Sequence, residues 1–186
     1  MSRRIQGLVT AFALAILLLV PASPRSGSAA SVQELNRDVD AALAKLYKSN
    51  QAARLLRDHA KAILVFPHML KAGFLFGGQI GEGALRTGGK TVGYYNSVAA
   101  SYGLQAGAQR FGYALFFMNE GALKYLDESE GFEIGVGPSI VVVDAGVGKS
   151  MSSTTLTQDV YAFIFDQQGL MAGLGIQGSK ITRIRK

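Results

Sequence analysis

Residues 140–150 read IVVVDAGVGKS, an apolar run that leads into Gly148-Lys149-Ser150. A phosphate-cradling loop of that form needs a glycine at position 143, where this chain has valine, so its backbone cradle is incomplete. The stretch that follows, Met151–Gln158, is rich in Ser and Thr and lacks the apolar period of a helix, so no nucleotide is expected. His59 and His68 are the only histidines and there is no cysteine. Zinc needs three or four ligands, and the rest would have to be scattered carboxylates, so no metal is expected. Glu128, Glu130 and Glu133 cluster in what reads as a solvated turn, and acid/base work would require burial to shift their pKa values. Ser139 follows a proline and lies in no Gly-x-Ser-x-Gly turn. No catalytic residue is expected, and no cofactor.

The remaining candidates are cations. Arg54, Arg57 and Lys61 fall at i, i+3 and i+7, one face of a helix, with Lys45 and Lys48 upstream and Lys71 downstream. Asp58 stands four residues after Arg54 and dilutes that face. A basic rim beside an apolar stripe can lie on an anionic bilayer, each cation contributing about 1 kcal/mol near the surface. The plainer reading packs the stripe on a core and leaves the charges solvated.

Two helices must carry those residues. Ser31-Val32-Gln33-Glu34 has the capping-box form, and Val32, Leu35, Val39, Ala42, Leu43 and Leu46 recur at helical spacing behind it. The pattern breaks at Ser49-Asn50. A second helix is expected there, with Ala52, Leu55, Leu56, His59 and Ile63 on one side. From Ile63 the pattern turns to strands, with Pro67 as a strand end or a bend. Gly88-Gly89 reads as a two-residue hairpin turn. Beyond it Val92, Tyr94, Val98, Ala100, Tyr102, Leu104, Ala106 and Ala108 occupy even positions, expected as the buried face of two strands joined near 100–103. Phe111–Met118, apolar on both parities, reads as a central strand. Asn119 is expected to cap a short helix, and Asp166–Gly169 to form a turn.

The chain has 186 residues, 23 of them glycine, without the triplet period of collagen, which suits one β-rich domain with many bulges. Residues 1–30 combine Arg3 and Arg4, an apolar Leu8–Val20 and Ser28-Ala29-Ala30, the form of a secretory signal peptide cleaved near Ala30. Its removal takes three cations and no acid, so the net charge falls from +6 to +3, too mild to argue for nucleic acid. Without cysteine, an exported chain has no disulfides and depends on its core.

Five pieces in order, ILVFP (63–67), KAGFLFGGQIGEG (71–83), GLQAG (103–107), VGP (136–138) and VYAFIFDQQGLMAGLGIQG (160–178), resemble the SYLF domain family. The resemblance spans roughly residues 31–184 and implies phospholipid binding, in eukaryotic members through an N-terminal amphipathic helix beside basic residues. Those positions correspond to Ser31–Ile63. After Gly137-Pro138 this chain lacks the arginine of the eukaryotic pattern, which argues against phosphoinositide selectivity of that kind. The family's actin association is not carried over to an exported chain.

The expected architecture is α+β: residues 31–186 as a single domain, N-terminal helices packed on a curved, mainly antiparallel, glycine-rich sheet that could close toward a barrel. The expected function is non-catalytic binding of an anionic phospholipid membrane in the periplasm or on the outer surface. Two alternatives stand beside it. One is a carrier that holds an apolar ligand against Tyr94, Tyr102, Phe111 and Tyr113; the other is a structural envelope protein that self-associates through sheet edges.

Overall fold

The computed structural model describes residues 31–128, 132–133, 137–143, 156–170 and 179–186. Helix α1, Val32–Ser49, starts at the expected capping box: the Ser31 hydroxyl accepts the Glu34 N–H and the Glu34 carboxylate accepts the Ser31 N–H. Its apolar stripe buries Leu35, Val39, Ala42 and Leu46. One residue, Asn50, ends this helix and starts the next. Its N–H donates to the Leu46 carbonyl, and its side chain accepts the Ala53 N–H at the head of α2, Gln51–Arg57.

Strand β1, Ala62–Thr87, pairs antiparallel with β2, Lys90–Phe117, from Ala62 opposite Phe117 to Thr87 opposite Lys90. Gly88 and Gly89, at φ +56° and +79°, make the turn, the left-handed pair that a two-residue hairpin requires. Pro67 does not end β1. A register shift between Phe66 and Met69 absorbs the missing donor as a bulge. β2 is also one strand of 28 residues, not two. On its other edge it pairs with β5, Val160–Leu170, along its second half and with β6, Lys180–Ile184, along its first. β4, Ile140–Val142, lies parallel to β5, and β3, Phe132–Glu133, antiparallel to β6. Asp166–Gly169 is likewise no turn. β5 runs through it with left-handed backbone at Asp166 and Gly169 and a register shift opposite Arg110–Gly112.

A straight strand of 26 residues would span about 85 Å, far more than a domain of this size allows. The hairpin therefore folds back on itself and the sheet curls into a half-barrel. Glycine makes the contact possible. A Cβ on Gly83 would collide with the Val65 carbonyl and lie 2.6 Å from the Phe66 ring, and one on Gly81 would strike Met69.

Two cores result. Inside the curl, Phe66, Leu85, Tyr95, Tyr113, Leu115, Phe117, Val160 and Ile181 pack together. Helix α3, Glu120–Glu128, covers them with Ala122 and Leu126, and Asn119 caps it as expected by accepting the Ala122 N–H at 2.8 Å. On the outside, Leu35, Val39, Leu46, Ala53 and Leu56 of the helices press on Ile63, Val65, Ala84, Phe116 and Phe163. Phe111–Phe117 is buried on both parities, as a central strand should be.

The expected buried face of β2 near the turn is reversed. Val92 and Val98 are 49% and 47% exposed, whereas Tyr95 and Ser97 are fully buried. The period of two is as expected, but the face is chosen by what covers it. The curl covers the odd positions, and the helices extend over the even ones only as far as Tyr94.

Candidate functional site

The six basic candidates fall in four places. Lys48, Arg54 and Arg57 gather where α1 hands over to α2, with Tyr47 among them. Arg54 Nη1 donates to the carbonyls of Tyr47 and Lys48, two of the acceptors that the end of α1 leaves open. The Arg57 guanidinium sits 5.4 Å from the centre of the Tyr47 ring, and its Nε donates to Asp58 Oδ1 at 2.8 Å. Asp58 therefore pairs with Arg57, its neighbour, and not with Arg54 across a turn. That bond holds the Asp58 carboxyl below its usual range, and burial pushes the Tyr47 phenol up to about 12. Among the described residues Arg54 has no ion-pair partner, and the carbonyls hold it in place without cancelling its charge.

Lys61 is exposed but does not continue the helical face. α2 ends at Arg57, and the Lys61 N–H already donates to the Phe117 carbonyl at the entry to the sheet. His59 and Ile63 leave the apolar stripe for the same reason: His59 is exposed and Ile63 belongs to β1. Lys45 stands apart from the cluster. Its ammonium donates to Asp166 Oδ2 at 2.7 Å, tying α1 to β5.

Lys71 is not a surface residue. The bulge at Pro67-His68 places it on the same side of β1 as Met69, and it is 2% exposed. Gln109, opposite Lys71 in the register, and Gln79, Ser97 and Ser179 are buried with it. Ser97 Oγ, Gln109 Oε1, Ser179 Oγ and the Tyr113 hydroxyl find no hydrogen-bond partner among the described residues. The curl thus passes from an aromatic core to a polar interior.

The helices' apolar stripe is core, as the plainer reading had it. Leu35, Val39, Leu46 and Leu56 are at most 3% exposed, so the stripe is not free to enter a bilayer while the domain stays folded. Besides Val92 and Val142, the exposed large apolar side chains among the described residues lie on the sheet beyond the helices, where Leu70, Ile80 and Val98 are 41%, 55% and 47% exposed. Leu70, Ile80 and Val98 line one shallow hollow together with Ala72 and Ala99. None of these positions was singled out as a site from sequence. The alternation through Val92 and Val98 is visible in the sequence, but there it reads as core.

The other sequence candidates have structural employment. Ser139 Oγ donates to Asp159 and accepts the Asp159 N–H, while Asn119 Nδ2 donates to the other oxygen of Asp159. These bonds hold the Asp159 carboxyl below its usual range, the Ser139 N–H contributing most. His59 Nδ1 lies 2.8 Å from the Leu55 carbonyl, and His68 Nε2 lies 3.2 Å from Asp38, so the histidines serve different elements. Glu128 pairs with Lys124. Residues 144–155, with the glycine-lysine-serine stretch, lie outside the described residues, as do Glu130 and residues 1–30. Among the described residues no group of acids and histidines could hold a metal, and no helix is long and apolar enough to cross a membrane. Of the residues expected to line a carrier's cavity, Phe111 and Tyr113 belong to the packed inner core and Tyr94 faces the helices.

The described residues thus form an α+β domain with cations at an exposed helix end and an exposed apolar patch on its sheet. Residues 98–186, just under half of the chain, match the family model Ysc84, described as Las17-binding protein actin regulator, a match consistent with the SYLF domain family. The match takes in most of β2 and everything after it; α1, α2 and β1 precede it. No curated protein matches the chain.

Proposed function

We propose that this chain is a non-catalytic phospholipid-binding protein of a bacterial envelope, exported by residues 1–30 and acting as one domain from Ser31 onward. It engages anionic membrane through Lys48, Arg54, Arg57 and Lys61. One observation carries the reading: three cations meet at the exposed junction of α1 and α2, with Asp58 as the one acid bonded among them. Contacts to carbonyls and to the Tyr47 ring hold two of them in place, so little side-chain entropy remains to be lost on binding. The attraction is electrostatic, because the neighbouring apolar stripe is occupied by the core.

Flotation of Ser31–Lys186, which holds every described element, with anionic and neutral vesicles tests it. Binding to anionic vesicles alone is expected, weakened by salt. Changing Lys48, Arg57 and Lys61 to Gln should lower it by roughly 100-fold, at about 1 kcal/mol per charge. Arg54 is spared because it also closes α1. Failure to bind anionic vesicles at low salt overturns the proposal.

A further inference from the structure

The bare half of the outer sheet face has an order of its own. In the strand register Leu70 stands opposite Arg110, and Val98 stands between Ile80 on one side and Lys180 on the other. Residues paired directly across strands share a face. Arg110 and Lys180 therefore flank the exposed Leu70, Ile80 and Val98, and both are themselves exposed. Neither forms an ion pair among the described residues. Of the acids nearby along the strands, Glu82 pairs with Lys186 and Asp166 with Lys45, while Glu133 stands opposite Lys180 in the register of β3 and β6.

From this we infer that the uncovered sheet face around Leu70, Ile80 and Val98 is the element that inserts into the anionic membrane, with Arg110 and Lys180 at the phosphate level. The inference rests on the phospholipid-binding reading and names the apolar contact which that reading lacks. Charge selects the occupant. A second copy docked by a two-fold axis would set Arg110 and Lys180 against Arg110 and Lys180, like against like. Among the described residues the hollow has no aromatic anchor of the kind that dominates protein–protein contacts; Leu70, Ile80, Val98 and two alanines line it with Gly78 and Gln79. An aliphatic centre with cations at its edge matches the boundary between acyl chains and anionic head groups. Two contacts then act together: the helix junction attracts and salt weakens it, whereas the sheet face holds on through salt.

The chain contains no tryptophan, so a single introduced one reports its own surroundings. Val98→Trp, and Val142→Trp on β4 as the control, are mixed with vesicles of phosphatidylglycerol and phosphatidylcholine, some carrying brominated acyl chains. A blue shift and bromine quenching at position 98 but not at 142 are expected. Leu70, Ile80 and Val98 changed together to Ser should lower the salt-resistant binding roughly tenfold and leave the low-salt attraction in place. Flotation with an unshifted, unquenched Trp at 98 overturns the inference and leaves the lipid-binding reading standing. Absence of flotation from every variant and from the parent overturns both. Should the Ser variant instead turn a concentration-dependent dimer into a monomer with vesicle binding unchanged, the face is a self-association surface and the inference fails.

Discussion

The outer face of the β1–β2 hairpin has two fates. Where Ile63, Val65, Ala84, Phe116 and Phe163 lie, α1 and α2 cover it and every one of those residues is buried. Further along the same strands Leu70, Ile80 and Val98 point the same way and stay in solvent. Composition hardly differs between the two regions. Cover does, and it is decided by helix length: α1 and α2 together offer 25 residues for a hairpin whose strands run to 26 and 28. A strand pattern therefore states that two faces differ without stating which face is wet.

The folding-back of the hairpin produces the largest expected effect. Gly83 lies next to Ala84, beneath α1, and an added Cβ would meet the Val65 carbonyl, which cannot move without displacing the strand. Gly83→Ala is expected to destabilise by about 4 kcal/mol or more, or to prevent folding. Gly78 lies in the bare region, where the nearest atom to an added Cβ is the Ala99 carbonyl at 3.8 Å. Gly78→Ala should be neutral or stabilise by up to about 1 kcal/mol, since alanine restricts the unfolded chain. Denaturant midpoints of the two variants decide the matter. Equal losses would mean that the close approach at Gly83 is not what holds the curl.

Core truncation separates the regions next. Leu56 is fully buried against the sheet, and Leu56→Ala should cost about 2–5 kcal/mol. Ile80→Ala, on the bare face, should stay within about 0.5 kcal/mol of the parent. A large loss at Ile80 in dilute, lipid-free protein would show that something already covers that face.

Much of the fold was legible in the sequence. The Ser31 and Asn119 caps, the break at Asn50, the Gly88-Gly89 turn and the central strand at Phe111–Phe117 are local signals, and local physics enforces them. The misreadings share another cause. Asp166–Gly169 looks like an end because it cannot continue a regular ladder, yet a bulge accommodates it within a longer strand, and at Pro67 the alternative of a bend holds in place of an end. The bulge at Pro67 turns Lys71 inward, which counting from Ile63 could not foresee. Arg54, Arg57 and Lys48 were identifiable as a basic group, but their arrangement around Tyr47 depends on where α1 stops. Arg110 and Lys180 are 70 residues apart and share a face only through β2 and β6, a long-range pairing that local spacing does not encode.

The boundary between the two regions provides the smallest effect and the sharpest control. Lys45 on α1 pairs with Asp166, whose backbone sits at φ +52°. The hydrogen bond from Lys45 holds the Asp166 carboxyl below its usual range, so the folded chain takes up that proton less readily than the unfolded one. The sign follows: the pair stabilises fully above the ordinary carboxylate pKa, and its contribution is lost as pH falls through the lowered value in the folded chain. Both side chains are largely exposed, so solvent screening keeps the gain at neutral pH to a few tenths of a kcal/mol, about 0.5 at most. Asp166→Asn tests this cleanly, since asparagine tolerates the left-handed backbone and removes only the charge. The variant should unfold slightly earlier than the parent at neutral pH, the gap closing in acid and narrowing with salt. A gap that persists in acid would assign the loss to the bulge itself and not to the ion pair that ties α1 to β5 at the edge of the bare face.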